Sequence, residues 1–130
     1  MPYAVMAHEV DPVQKILDEI GPLNEVEIFN NQLLCAVYVR PQKTQSGIYL
    51  TDKAVDEDRY QGKVGLVVKK GPQAFEDPEG RWFKELDVQL NDWVIFKPSD
   101  GWSITVNGVL CRILDDTNIR GRIQQPDQAW

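Results

Sequence analysis

The feature that most limits what this chain can fold into is a series of short apolar runs, each about as long as one strand, separated by turn residues. The runs lie at 33–39, 63–69, 93–97, 103–106 and 109–114. The last two flank Asn107-Gly108, which favours a two-residue type I′ turn because both residue types tolerate a positive φ. Closing a sheet on itself removes its exposed edges. The pattern therefore predicts an all-β fold, a small β-barrel with a hairpin at Asn107-Gly108.

One short amphipathic helix is predicted ahead of the strands, from Asp11 to Gly21. Asp11 is a residue type that caps helices, Pro12 suits a first turn, and Gly21-Pro22 ends the helix. One face of this helix is apolar and consists of Val13, Ile16, Leu17 and Ile20. Since an apolar face must be covered, we expect the helix to pack against the body of the protein.

Composition argues against several classes of function. The net charge is −6, which repels a phosphate backbone, and Lys69-Lys70 is the densest basic spot, so nucleic-acid binding is not expected. Cys35 and Cys111 each lie inside an apolar run, as expected of buried free thiols in a reducing cytoplasm. No basic segment precedes an apolar stretch at the N-terminus, and no run approaches ~20 apolar residues. We therefore expect neither secretion nor membrane insertion.

Catalytic chemistry has few candidate residues. His8 is the single histidine, and no glycine-rich phosphate loop occurs, so histidine triads, zinc sites and nucleotide sites lack their usual parts. Acidic residues cluster at 56–58, Glu76-Asp77 and Asp115-Asp116, but each cluster lies beside turn residues and is interpreted as a solvated loop. The sequence predicts a protein that is not an enzyme and has no cofactor or metal site.

Two long polar segments interrupt the strands, at 41–62 and 71–85. Loops of this length in a compact domain are commonly functional or disordered. The first holds Ile48-Tyr49-Leu50, three apolar residues between polar flanks. This is an unusual place for them, and a short strand covering one end of the barrel is the alternative to a binding role.

The order of these segments resembles that of a GroES-type co-chaperonin, the chaperonin-10 family. A strand is followed by a polar loop bearing Gly-Ile-x-Leu-Thr, here Gly47 to Thr51, and then by a strand opening Gly62-Lys63-Val64. Residues 85–96 resemble the family's run Leu-Asp-Val-x-Val-Gly-Asp-x-Val-Ile-Phe, and residues 108–119 are similar to its closing hairpin strand and acidic turn. The resemblance covers residues 32–123.

The resemblance implies a homo-oligomeric ring, a heptamer, that caps a GroEL-type chaperonin and encloses unfolded client proteins. Gly47, Ile48, Tyr49 and Leu50 would form the chaperonin-binding segment within a mobile loop at 41–62. A roof hairpin would span 71–85, with its tip at 77–80. The chaperonin binds and hydrolyses the ATP in this family, in agreement with the absence of a phosphate loop here.

The resemblance divides the chain into an N-terminal extension with the helix at 1–31, a GroES-like barrel at 32–123 and a frayed tail at 124–130. Three features depart from the family pattern. Tyr49 stands where an aliphatic residue is usual, residues 118–123 are more polar than the family's last strand, and the extension has no counterpart. A bacteriophage-encoded variant is compatible with these departures.

Two alternatives remain open. A GroES-fold binding or virion-structural module without folding activity would also account for the polar last strand and the added helix. A fragment of a zinc alcohol dehydrogenase shares the barrel, but the zinc ligands and the dinucleotide-binding half are missing.

Overall fold

The computed structural model describes residues 10–39, 47, 49, 51, 62–76 and 88–128. In these residues the chain is mostly β, and the prediction of an all-β fold with one short helix is confirmed. The elements, in chain order, are helix α1 (Pro12–Ile20), strands β1 (Gln32–Val37), β2 (Val64–Lys70), β3 (Trp93–Ile95), β4 (Trp102–Val106) and β5 (Val109–Asp115), a 3₁₀ turn (Asp116–Asn118), strand β6 (Gly121–Ile123) and a second 3₁₀ turn (Pro126–Gln128).

All six strands belong to one antiparallel sheet, in the order β4-β5-β1-β2-β3-β6. Strand β1 therefore lies inside the sheet between β5 and β2, whereas β4 and β6 are its edges as far as the described residues extend. The hairpin between β4 and β5 turns at Asn107 and Gly108, whose φ angles are 51° and 83°. Positive φ at both positions is what a type I′ turn requires, so the predicted hairpin is confirmed.

The sheet is buried on both faces at its centre. Successive side chains of β1 point to opposite faces, and both sets are buried. On one face, Leu34 and Ala36 of β1 pack in a cluster that includes Ile16 and Ile20 of α1. On the other face, Leu33 and Cys35 pack with Val67, Val94, Phe96 and Leu114. A continuous apolar run in β1 is therefore needed, since neither face is left to water.

Helix α1 covers the first of these faces, as its apolar stripe predicted. Ile16 and Ile20 are buried, and Val13 and Leu17 pack against the same cluster. The amide Nδ2 of Asn107 donates a hydrogen bond of 2.7 Å to the Ile20 carbonyl, which ties the end of the helix to the β4–β5 turn. One detail of the prediction is wrong, because Asp11 occupies the capping position without making a side-chain capping hydrogen bond.

The sheet curves around its second face. Strands β3 and β5 are separated by β1 and β2, which in a flat sheet would place them roughly 14 Å apart. Phe96, which follows β3, nevertheless shares a core cluster with Leu114 of β5, and the Arg112 guanidinium lies 5.8 Å from the centre of the Phe96 ring. Curvature of this kind is what the predicted small barrel needs.

The C-terminal segment differs from the predicted frayed tail at 124–130. Within the described residues, the 3₁₀ turn Pro126–Gln128 buries Pro126 fully and leaves Asp127 only 6% exposed. The prediction was wrong here because the polar composition of a segment reports its solubility, whereas burial depends on whether the segment folds back onto the domain.

Candidate functional site

The predicted docking segment is partly described by the structure. Gly47 is exposed with a φ of 93°, and a Cβ added there would meet nothing within 4 Å. Tyr49 is 68% exposed, and its backbone takes part in a single β-bridge. Ile48 and Leu50 lie outside the described residues. The described part of the segment is therefore at the protein surface.

The second polar segment, 71–85, is attached firmly where it leaves and rejoins the sheet. The Gly71 amide donates to the Gln32 carbonyl at 2.7 Å, and Lys70 Nζ donates to the Val88 carbonyl at 2.7 Å. A Cβ at Gly71 would lie 2.3 Å from the Asn30 carbonyl oxygen, so only glycine allows this close approach. Residues 77–87, which include the predicted hairpin tip, lie outside the described residues.

The Asp116 side chain anchors the first part of this segment, and the sequence did not predict this role. Its side chain is buried, and Oδ1 accepts a hydrogen bond of 3.0 Å from Asn31 Nδ2 while Oδ2 accepts one of 3.0 Å from the Phe75 amide. Phe75 has a φ of 60°, a strained value for an aromatic residue. The interpretation of Asp115-Asp116 as a solvated pair is thus wrong for Asp116, which is a structural anchor.

Arg112 is a second buried charge that sequence reasoning missed. It is 6% exposed on β5, and its Nη1 donates to the Asp100 carbonyl at 2.7 Å. Burial lowers the pKa of Arg112 from its ordinary value, and the nearby Asp100 carboxylate opposes that shift. Arg112 therefore fixes the turn that leads into β4.

A surface groove of about 540 Å³ lies where that turn meets the sheet. It is lined by Gln32, Gly101, Trp102, Ile113, Asp115 and Asn118. Trp102 is 79% exposed and pairs directly with Ile113 across the two strands. The alternation of Trp102, Ile104 and Val106 is typical of a half-buried strand, but Trp102 and Ile104 are exposed here.

A comparison with protein families supplies the decisive observation. Residues 25–123 match the model of Cpn10, the chaperonin 10 Kd subunit. The chain belongs to the chaperonin-10 family. The match covers all six strands, so the resemblance stated from the sequence and the GroES-like all-β fold are confirmed. No curated protein matches the sequence.

Membership of the chaperonin-10 family supports a co-chaperonin role in general, with a GroEL-type chaperonin as partner. Subunits of this family are not enzymes in the usual sense. The match begins at residue 25, ahead of β1 and within the range assigned to the N-terminal extension, while α1 lies outside it. The helix is thus an addition to the matched region, and the boundaries at 31 and 123 stay predictions.

The two thiols of this chaperonin-10 chain are structural. Cys35 and Cys111 are both fully buried. Cys111 is the strand partner of Ala36, so Cys35 and Cys111 point to opposite faces of adjacent strands and no disulfide joins them. Burial raises the pKa of Cys111 to about 11 and raises that of Cys35 further. Neither thiol ionises near neutral pH, as a nucleophile would need to.

Metal sites and membrane-spanning helices are both absent from the described residues. They contain no group of three or more histidine, cysteine or acidic side chains arranged to hold a metal ion. In the part of the chain that the structure describes, no helix is long and apolar enough to cross a membrane.

Proposed function

We propose that this chain is a ring-forming cytoplasmic co-chaperonin that caps a GroEL-type chaperonin and assists ATP-dependent folding of client proteins. The docking segment is Gly47, Ile48, Tyr49 and Leu50. The family match over residues 25–123 carries this proposal, and the exposure of Tyr49 supports the choice of segment. The ATP is bound and hydrolysed by the chaperonin, and this subunit acts as a lid.

Docking through so short a segment is weak for one subunit. Burying Ile48 and Leu50 against a partner releases apolar surface from water, and ordering the chain around them offsets part of that gain. A ring of identical subunits, which we propose to be a heptamer, raises the effective concentration of the remaining segments once the first has docked. The ring thereby binds tightly and still dissociates when the chaperonin weakens each contact.

The anchored base of residues 71–85 supports their assignment as a roof hairpin. Gly71, Lys70 and Asp116 attach this segment to the sheet through hydrogen bonds of 2.7 to 3.0 Å. A hairpin that projects over a cavity needs a base that fixes its orientation while its tip contacts neighbours. These three hydrogen-bonded contacts with the sheet fix the base.

The docking proposal is tested by measuring binding to a GroEL-type chaperonin in the presence of ATP, together with the chaperonin's ATPase rate. We expect the wild-type chain to bind and change the ATPase rate. Ile48→Asp and Tyr49→Asp should each weaken binding, because a carboxylate in an apolar contact must be desolvated. Val10→Asp introduces the same charge at another exposed apolar position, 51% exposed, and should bind like wild type.

Sedimentation of the chain alone and with chaperonin completes the test. A ring that binds chaperonin through 47–50 meets the proposal. A monomer that neither binds the chaperonin nor alters its ATPase rate contradicts it and favours the GroES-fold binding module.

A further inference from the structure

Strand β4 presents an apolar surface that the proposed docking function does not use. Its residues 102–105 are all exposed, and within the described residues it pairs only with β5. Trp102 is the most exposed of the large hydrophobic side chains there, at 79%, and Ile104 is 40% exposed. An edge strand with unpaired backbone groups and apolar side chains is a template for another strand.

The apolar surface of β4 lies on the same face of the sheet as helix α1. Trp102 and Ile104 are the strand partners of Ile113 and Cys111, and they lie on the face of the sheet that α1 covers. Cys111 and Val109 belong to the cluster under the helix, and Val106 and Ile113 pack against that cluster. Beyond Ile113, at the end of the face that holds Trp102 and Asp115, the face opens into the groove.

Contacts with β5 hold in place the backbone that leads into the groove. A Cβ at Gly101, whose φ is 71°, would lie 2.3 Å from the Ile113 carbonyl oxygen, so the chain enters β4 pressed against β5. Arg112 secures the preceding residue through the Asp100 carbonyl at 2.7 Å. Trp102 is thus presented by a fixed backbone, and the groove needs little rearrangement to receive a ligand.

The chemistry of the lining selects the ligand. Trp102 offers an aromatic face and Asp115 an exposed carboxylate. The two amides of the lining are bonded to Asp115, because Gln32 Nε2 donates to its carboxylate at 3.5 Å and Asn118 Oδ1 accepts from its backbone amide at 2.9 Å. An aromatic ring beside a carboxylate suits a guanidinium or ammonium group, which is attracted to both. An anionic ligand meets the Asp115 carboxylate and a net charge of −6.

We propose that the β4 groove binds an extended polypeptide segment of an unfolded protein that carries an arginine or lysine, with the segment added along β4 and the basic side chain between Trp102 and Asp115. Main-chain hydrogen bonds supply the general affinity, and the basic side chain supplies the selectivity. This inference goes beyond the proposed function, because it concerns binding by the chain itself, without chaperonin or nucleotide.

The test uses the full chain and a capped peptide of sequence Thr-Val-Arg-Val-Thr, with binding followed by calorimetry and by the NMR signal of the Trp102 indole N–H. We expect saturable binding. Trp102→Ala should weaken it about tenfold and Asp115→Asn about threefold. The same peptide with citrulline or glutamate in place of arginine should bind more weakly to the wild-type chain.

Matched controls separate the groove from general surface effects. Phe29→Ala removes another exposed aromatic side chain, 60% exposed, and Glu25→Gln removes another exposed carboxylate. Both should bind the arginine peptide like wild type. All four variants change exposed residues, and circular dichroism should show an unchanged fold.

Three outcomes would overturn the inference. These are the absence of saturable binding, equal binding of the arginine and glutamate peptides, and self-association of the chain that Trp102→Ala abolishes. The last would place a second copy of the chain in the groove. If the chain docks on the chaperonin but does not bind the peptide, the proposed function holds and the groove inference fails. If it binds the peptide but does not dock on the chaperonin, the groove inference holds and the proposed function fails.

Discussion

Strands β1 and β4 belong to one sheet and are both rich in apolar residues, yet they have opposite environments. Residues 33–37 of β1 are buried, with a strand on each side and a core cluster on each face. Residues 102–105 of β4 are exposed at the edge. Apolar residues therefore stabilise the fold at the centre of the sheet, whereas at its edge they leave the surface that we propose for recognition.

The largest test of this comparison is a pair of truncations. Leu34→Ala in β1 removes a side chain that is 1% exposed and should lower the free energy of unfolding by about 4 kcal/mol, because a cavity remains in a close-packed core. Ile104→Ala in β4 should cost less than about 1 kcal/mol. Urea denaturation measures both. Equal costs would contradict the division between a stabilising centre and a recognition edge.

A second pair of variants sharpens the comparison, because a substitution at Gly101, beside the edge strand, should destabilise the fold nearly as much as one in the centre of the sheet. Gly101 and Gly108 both have positive φ, but a Cβ at Gly101 meets backbone at 2.3 Å while one at Gly108 meets nothing within 4 Å. Gly101→Ala should therefore cost about 3 kcal/mol and Gly108→Ala about 1 kcal/mol. Thermal or urea unfolding of the two variants provides the measurement, and a similar loss in both would show that the contact with Ile113 is unimportant.

A third pair concerns the joint between the sheet and residues 71–76. Asp116→Asn replaces one buried acceptor by a donor facing the Phe75 amide and should cost about 2 kcal/mol. Asp115→Asn, at the neighbouring exposed position, should change stability little. Hydrogen exchange of the Phe75 amide should be faster in the first variant alone, and unchanged exchange there would rule out the anchor.

The smallest effect concerns the buried thiols of the centre. Because burial raises the pKa of Cys111 to about 11, its thiol stays protonated in the folded chain while the unfolded thiol ionises at its ordinary pKa. The contribution of the buried thiol to the free energy of unfolding is complete below that ordinary pKa and is lost as the pH rises toward about 11. Between pH ~7.5 and ~9.5, wild type should lose about 1 kcal/mol more stability than Cys111→Ala. Parallel losses in the two chains would contradict this.

Much of the fold was predictable because the deciding interactions are local. The strand runs, the Asn107-Gly108 turn and the apolar face of α1 all follow from residue types and spacing, and the structure confirms them. The docking segment came from resemblance to a family. Two of its four residues, Gly47 and Tyr49, are described and lie at the surface, and its role stays a prediction.

The sequence by itself determined five of the six strands, where the hairpin turns and which face of the helix is apolar, since these depend on neighbours in the chain. The short strand β6 was not among the predicted runs. The tertiary structure alone decided that Asp116 and Arg112 are buried, that Pro126 is covered and that Trp102 is exposed. Burial depends on which layer lies over a residue. In this protein α1 is tied to the β4–β5 turn, whereas Trp102 at the other end of β4 lines an open groove, and no pattern within β4 records that difference.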